Sequence, residues 1–315
     1  MTLNNAPSDD NETTEAEHLR GLVLFTSGNG FVENDNIFAF IINPATRNIY
    51  KIPDPPVCFY MCYFFGFDEV KNEHKVLNFR IKDRKSIRSK RLKDLELMIF
   101  SLSDYSWRKI DVGNFPVDSE NLFFGTKSSV CVNSVIHVML HSPMEILAFD
   151  LRTEKFEIIK VPNEALVFET SSLYTRNGRK TVKFNYPGVM KVDGLLGVLS
   201  HDRAVESNEM YIWALEDYEN RVWVRKTIAF SESWVDLDGP FPSCSGNAEE
   251  ILFYPKRLSR NLMNVPVYDL KAGSYKSVKY FLGHQFLRAK TVKFNEVVSY
   301  TESIVPLVTN ESGTS

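Results

Sequence analysis

The sequence predicts an all-β fold, a β-propeller-like domain of about five to six repeated blades. Three observations predict it. Aromatic residues make up 13% of the 315, with 23 Phe and 13 Tyr, and such side chains suit a pleated, half-buried surface. Apolar runs come in pairs divided by turn residues, and no segment longer than 12 residues shows a convincing 3.6-residue apolar period. A corner motif recurs five times, its starts 58, 49, 67 and 52 residues apart. That spacing is near the roughly 50 residues of a kelch blade and above the roughly 40 to 45 of a WD40 blade. A solenoid or a large sandwich stands behind the propeller as an alternative.

Taken in order, residues 1–19 are acidic and polar and read as a disordered tail, residues 20–308 as one domain, and residues 309–315 as a second short tail. "GLVLFTSGNG" (21–30) before "NIFAFII" (36–42) has the grammar of a hairpin. The same grammar returns at 128–140 before 145–151, at 194–201 before 209–215, and at 249–255 before 265–270. Each corner is an apolar run, a polar residue, a few turn residues, and a large side chain six positions after the polar one. Asn43 leads to Ile49, Ser101 to Trp107, Asp150 to Phe156, Asp217 to Trp223 and Asp269 to Tyr275. Asn, Asp and Ser bond their own backbone two residues on, Pro44 fixes φ, and Gly273 supplies a positive φ. The large residue then re-enters the sheet against the preceding strand. Five copies of one motif are structural corners, not five active sites.

Composition bounds the rest. With 43% hydrophobic and 24% charged residues the chain buries a core, and a net charge of −3 makes no general case for nucleic acid or acidic lipid. Four scattered cysteines, Cys58, Cys62, Cys131 and Cys244, form no disulfide framework and read as reduced thiols. The acidic start has no apolar signal core, and the most apolar stretch, Val57 to Phe67, is too short to span a bilayer. The expectation is a cytoplasmic or nuclear protein that needs no membrane.

The corner residues also carry a resemblance. "GLVLF" (21–25), "NPATRNIYKIP" (43–53), "FFGFDEVKNEHKVLNF" (64–79), "IFSLSDYSWRKI" (99–110) and "ILAFDLRTEKFEIIKVP" (146–162) follow one another in the chain. After them come "GLLGVLSHDR" (194–203), "MYIWALEDYENRVWVRK" (210–226), "VYDLKAGSYKSV" (267–278) and "FNEVVSYTESIVPL" (294–307). Their order and spacing resemble the kelch-like F-box-associated domain of plant F-box proteins, over residues 20–307. The resemblance implies a domain that holds a target protein while an F-box docks onto a Skp-type adaptor of a cullin ubiquitin ligase. Only nineteen residues precede Arg20, too few for the helical F-box, so the expectation is a target binder that reaches an adaptor only through an F-box elsewhere. The final stretch, 294–307, is similar to the family's last strand.

Catalytic grammar is missing. No Gly-x-Gly-x-x-Gly opens a helix, and there is no phosphate-cradling loop, His-Glu-x-x-His or Gly-x-Ser-x-Gly elbow. The expectation is a protein that is not an enzyme and takes no cofactor or metal. Cys58 and Cys62 have three residues between them within "VCFYMCYFF" and read as buried thiols sharing one strand face, since structural zinc wants four such ligands. His137 in "SVIHVML" reads as a core or channel-lining residue, and His201 beside Asp202 as the one pair able to orient an imidazole for base work. An enzyme with its active site at a channel mouth is therefore one alternative function.

The charged exception is the basic loop 80–94, within "RIKDRKSIRSKRLKDLE" (80–96), which holds eight Lys or Arg and one acid before Asp94. Such a run repels itself and reads as a solvated loop joining two strands of one blade. Arg84, Lys85, Arg88, Lys90 and Arg91 are its candidate binding residues, for an acidic partner or a phosphate backbone. The lack of interleaved aromatics argues against single-stranded nucleic acid. Trp234, in the long Gly/Pro/Ser-rich stretch "SESWVDLDGPFPSCSG" (231–246), is the aromatic candidate for an interface anchor. The function this supports is recognition of another protein through loops at one end of the blades.

Overall fold

A computed structural model describes residues 15–27, 30–31, 38–54, 58, 60–81, 95–111, 115–117, 129–140, 143–166, 172–176, 179–183, 188–200, 208–230, 250–253, 258–259, 262–281, 300–304 and 306–307. Five antiparallel blades are arranged as a β-propeller. In the first, β1 (Glu15–Leu19), β2 (Leu22–Thr26), β4 (Ala39–Asn43) and β5 (Asn48–Lys51) pair in that order, while β3 (Gly30–Phe31) leaves it to pair with the second blade. That blade is β6 (Tyr60–Asp68), β7 (Glu73–Ile81), β8 (Leu95–Ser101) and β9 (Ser106–Ile110), with β3 on the free edge of β6. The third is β10 (Ser129–Val132), β11 (Val135–Met139), β12 (Glu145–Asp150) and β13 (Lys155–Lys160). A 3-10 turn (Asn163–Leu166) and a separate hairpin, β14 (Ser172–Arg176) with β15 (Arg179–Lys183), lead to the fourth. The fourth is β16 (Gly188–Val192), β17 (Leu195–Ser200), β18 (Glu209–Asp217) and β19 (Val222–Ala229). In the fifth, β20 (Glu250–Leu252) and β21 (Leu258–Ser259) share one side of β22 (Leu262–Asp269), and β23 (Ser274–Phe281) takes the other.

All five corners lie where the sequence puts them, one per blade, between the last two strands. The polar residue makes the last pair of the hairpin, as in Asn43 with Asn48 and Asp269 with Ser274, and the large residue pairs one step further in. Phe100 faces Trp107, Phe149 faces Phe156 and Tyr268 faces Tyr275, while a bulge at the fourth corner sets Leu215 against Trp223. The loop geometry explains the spacing. Side-chain oxygens of Asn43, Asp150 and Asp269 accept the N–H groups two and three residues on, between 2.8 and 3.4 Å. The fourth residue after each polar position, Arg47, Tyr105, Glu154, Arg221 or Gly273, is left-handed with φ between 53° and 61°. That single reversal closes a four-residue turn onto the next strand. Asp68, with Val70 and Lys71 as its donors and Asn72 at φ 52°, forms a sixth copy that sequence reading did not count. It joins the first two strands of its blade rather than the last two.

Successive blades are mortared by the residue six positions after four of the five corners, the exception being Ile49, which is 43% exposed. The Trp107 indole donates to Pro53 O (3.0 Å) in the blade before it, and the Trp223 indole donates to Lys160 O (3.2 Å). Phe156 meets Phe79 and Phe115, and Tyr275 meets Phe230 and Phe253. The right-handed twist of each sheet brings the outer strand across to its neighbour. Among the described residues the outermost strands pair on one side only, and each carries exposed cations: Lys51, Lys109, Lys155, Arg225 and Lys279. Charge on an edge strand blocks edge-to-edge association.

Two expectations change and one gains a detail. Residues 15–19, read as part of the acidic tail, form β1. The Phe65 N–H donates to Glu17 Oε2 (2.7 Å) and the Ser129 hydroxyl to Oε1 (2.9 Å), so an acid that looked solvated ties three blades together. The hairpin expected from 21–30 and 36–42 forms as β2 with β4, and within its connection Gly30 opens β3 and pairs with Met61 of the next blade. Finally, the described part of the last stretch, 300–304 and 306–307, carries no strand. The tail at 309–315 lies outside the described residues.

The corners differ in what they hold, and this gives two tests. Asn43 is fully buried, and its Nδ2 also donates to Ser303 O (3.1 Å). Asn43→Ala should therefore destabilise the fold by about 1 to 3 kcal/mol. Asn43→Asp keeps the turn but sets an oxygen against Ser303 O and should be nearly as costly, whereas Asp269→Asn should stay within about 0.5 kcal/mol of the parent. Urea denaturation midpoints of the three variants check this. At the left-handed position, Gly273→Ala should cost about 1 kcal/mol and Arg47→Gly should leave stability equal or up to about 0.5 kcal/mol higher; the same midpoints decide the sign.

Candidate recognition face

Strand alternation gives each blade two unlike ends. At one end, turns of two or four residues close the hairpins: 20–21, 44–47, 69–72, 102–105, 133–134, 151–154, 193–194, 218–221 and 270–273. The two-residue turns Arg20-Gly21, Asn133-Ser134 and Asp193-Gly194 have positive φ at both positions, the geometry that matches strand twist. From the other end leave the long connections 27–38, 82–94, 111–128, 161–187 and 201–208, and also 230–249, which departs there after β19 but enters β20 at the corner end, where Glu250 pairs with Asp269. The first can be called the corner end and the second the loop end.

The corner end is a locked surface. Arg20 pairs with Glu69 (2.8 Å) and lies over the Phe67 ring, and the Glu69 N–H donates to Ser134 Oγ (2.9 Å), joining three blades in a row. Buried Lys75 pairs with Asp68 (2.7 Å) and Glu73 (3.2 Å) and donates to Leu151 O (3.3 Å) in the third blade. Burial pushes the Asp68 carboxyl up, but Lys75 and the backbone N–H bonds outweigh it and hold the group below its usual range. Arg108 pairs with Glu154, and Arg221 with Glu157 (2.6 Å). These contacts tie neighbouring blades to one another at this end.

His137 belongs to the same locking. It is 1% exposed; its Nε2 donates to the Tyr218 hydroxyl (3.2 Å), which donates to Glu157 Oε1 (2.8 Å). Burial holds the imidazole down to about 4, and His74, whose Nε2 donates to Leu19 O (3.0 Å), is also held to about 4 by burial. Both rings are neutral structural groups at neutral pH. Cys131 is likewise inert, its thiol pushed up by burial to about 11. Cys58 and Cys62 do not share a face: Cys58 precedes β6 and packs in the first-blade core, while Cys62 faces the core between the second and third blades. Among the described residues no cluster of three His, Cys, Asp or Glu side chains is placed to hold a metal ion.

The candidate binding residues Trp234, Arg84, Lys85, Arg88, Lys90 and Arg91 lie outside the described residues, as do His201 and Asp202. Their anchor points are described. The basic segment leaves β7 at Ile81 and returns at Leu95, which pair directly, so it does join two adjacent strands of one blade. Its first cation is no loop residue: Arg80 sits in β7, 3% exposed, bound to Glu96 across the strand pair at 2.9 Å. Lys109 also reaches Glu96 (3.2 Å). Trp234 follows four residues after Phe230, whose N–H donates to Asn208 O (2.9 Å) at the loop end of the fourth blade. Both candidates therefore leave strands at the loop end. Sequence reasoning missed Tyr280 and Phe281, 48% and 78% exposed, where β23 reaches that same end. The signal was present as two aromatics closing the Lys-rich run "YKSVKYF".

One end closes in short, bonded turns and the other sends out the long connections of a five-bladed propeller. Residues 3–300 match the family described as the F-box associated beta propeller domain, and the chain belongs to that family. Among curated relatives, the F-box protein At5g62660 of Arabidopsis thaliana is 28% identical over 233 residues, 70% of this chain and 52% of that protein. F-box protein DOR, also from Arabidopsis thaliana, is 25% identical over 227 residues, 69% of this chain and 50% of its own length. The chain spans about half the length of the curated relatives it matches. Of solved structures, TolB from Acinetobacter baumannii overlays with a TM-score of 0.42 at 10% identity, covering 84% of this chain and 52% of that one. A likeness of that degree has no bearing on function.

The buried histidines set a pH dependence. Both have folded values near 4 against 6.5 for a free ring, so the unfolded chain binds more protons between those limits. Stability should be full above about pH 6.5 and fall toward pH 4, with a slope approaching about 2.7 kcal/mol per pH unit. His137→Gln keeps a donor for Tyr218 without titrating and should roughly halve that slope. Equal denaturation midpoints at pH 7.5 and 5.0 would remove both rings from the account.

Proposed function

We propose that this chain is the target-holding part of an F-box-type protein and that its loop end binds the target. The observation that carries the reading is the asymmetry of the blades. Each described hairpin turn at the corner end has two or four residues, while the connections that vary in length and chemistry leave from the other end. Arg84, Lys85, Arg88, Lys90 and Arg91 supply positive charge beside the second blade, suited to an acidic protein surface, and Trp234, Tyr280 and Phe281 supply aromatic anchors. The names of the relatives support a further proposal, that in the whole protein the target is presented to a Skp-type adaptor of a ubiquitin ligase. The reading places the protein in the cytoplasm or nucleus, and it is one of binding rather than catalysis.

Affinity capture with the full chain from the cells that express it tests this. Wild type should recover a reproducible protein; neutralising Arg84, Lys85, Arg88, Lys90 and Arg91 to Ser, or making Trp234→Ala, should reduce its recovery at least tenfold. Val70→Ser alters a 77% exposed side chain at the corner end and should leave recovery unchanged. Loss in Val70→Ser with retention in the loop-end variants would reverse the assignment of faces.

A further inference from the structure

Among the described residues every strand joins the sheet of a blade except β14 and β15, which pair only with each other. Their hairpin stands in the connection between the third and fourth blades, and both ends of that connection are held at the loop end. On one side the 3-10 turn Asn163–Leu166 packs Ala165 and Leu166 into the core between those blades; on the other, Gly188 opens β16 in register with Leu199. The two strands, Ser-Leu-Tyr-Thr-Arg and Arg-Lys-Thr-Val-Lys, hold four cations, Arg176, Arg179, Lys180 and Lys183, and no acid. In a chain of net charge −3 that excess is local. The register puts Arg176, Arg179 and Lys183 on one face and Lys180 on the other, so neither face is the uninterrupted apolar one with which a blade strand enters a core. Arg176 and Arg179 are opposite each other at the closed end, a like-charge pair that weakens a hairpin already marginal on its own at five residues a strand.

We propose that this hairpin is an arm that takes an acidic, extended segment of the target as a third strand beside β14, an inference that rests on the reading that the loop end holds the target. Two residues separate Arg176 from Arg179, so that pair is hydrogen-bonded within the hairpin, and the alternation of an antiparallel ladder turns the N–H and C=O groups of Leu173 and Thr175 to the outer edge. An extended peptide satisfies those groups. The edge of β15 is the poorer one, since three of its five residues are cations and charge on an edge strand discourages pairing. Charge also selects the occupant. Carboxylates on the added strand relieve the repulsion between Arg176 and Arg179, whereas a second copy of the arm brings four more cations and a neutral strand leaves the pair as it is. Nucleic acid neutralises cations too, but makes no use of an open strand edge.

Fluorescence anisotropy with a labelled twelve-residue peptide of alternating Glu and Thr, added to the full chain at about 0.15 M salt, reads the arm directly. Binding should weaken at least tenfold when the peptide's Glu residues are replaced by Gln, when its alternate amides are N-methylated, and in the double variant Arg176→Ser/Arg179→Ser. Thr175→Pro removes an outward N–H while sparing the hairpin's own bonds and should weaken binding as much. Changing Arg84, Lys85, Arg88, Lys90 and Arg91 to Ser should cost less than threefold. The proposal is overturned if the N-methylated peptide binds as tightly as its parent, if only the variant of the basic segment loses binding, or if a single-stranded DNA oligonucleotide binds more tightly than the peptide and loses that binding in Arg176→Ser/Arg179→Ser. Target capture separates the arm from the reading beneath it. Recovery lost in the basic-segment or Trp234→Ala variants but kept in Arg176→Ser/Arg179→Ser removes the arm alone; recovery that none of these variants alters removes the loop end as the target's site and the arm with it.

Discussion

The rest of the structure hangs on one short-range interaction, the bond from an Asn or Asp side-chain oxygen to the backbone N–H groups two and three residues later. It caps the end of a strand, and with a left-handed residue in fourth place it returns the chain in register with the strand it has just left. Register is what then decides packing, because a slip of one residue would turn every side chain to the opposite face. At four of the five corners the residue at the sixth position therefore arrives at a defined place, beside the preceding blade. Trp107 and Trp223 use that place for an indole hydrogen bond, and Phe156 and Tyr275 use it for ring contacts. A local turn preference is converted in this way into the contact between blades.

Strain follows from the same device. Four of the five blade corners place a residue other than glycine at positive φ, at roughly 1 to 2 kcal/mol each for an L-residue. Several of these residues recover part of that cost through contacts across the blade boundary. Tyr105 packs edge-on against Tyr50 of the first blade, and Glu154 binds Arg108 of the second. The identity of the fourth residue thus serves the neighbouring blade as much as its own turn. Beneath them lies the Lys75 cluster, where removal of one partner would leave a buried charge alone, a loss usually worth 3 to 5 kcal/mol.

Much of this was legible in the sequence because the corner is a six-residue event. Asn43, Ser101, Asp150, Asp217 and Asp269 announce themselves by local chemistry, and their spacing gives the blade count. The Asp68 copy escaped because the residue six positions on is His74, not an obvious apolar re-entry, and because it joins a different pair of strands. Glu17 and Arg80 were misread for a longer-range reason. Composition alone assigns an acid in an acidic stretch to a tail and a cation in a basic run to a loop. What fixes them is a partner far along the chain: Phe65 and Ser129, 48 and 112 residues from Glu17, and Glu96 opposite Arg80. No periodicity reveals such pairs before the topology is known.

The same topology supplies what the candidate residues lacked, a side of the molecule. In the sequence, Trp234 and the basic run are separated by more than a hundred residues and share no motif. Strand direction removes that separation, because the second-to-third-strand connection and the exit from the fourth strand must leave the same end of a blade that closes its other hairpins at the opposite end. An end whose turns are bonded residue by residue tolerates little change in length or charge, since each change breaks register, a buried pair or an inter-blade contact. The longer connections of the other end are tied at fewer described points, such as Ser27 to Phe38 and Phe230 to Asn208, and that is where this architecture can take changes in length at least cost to the blades.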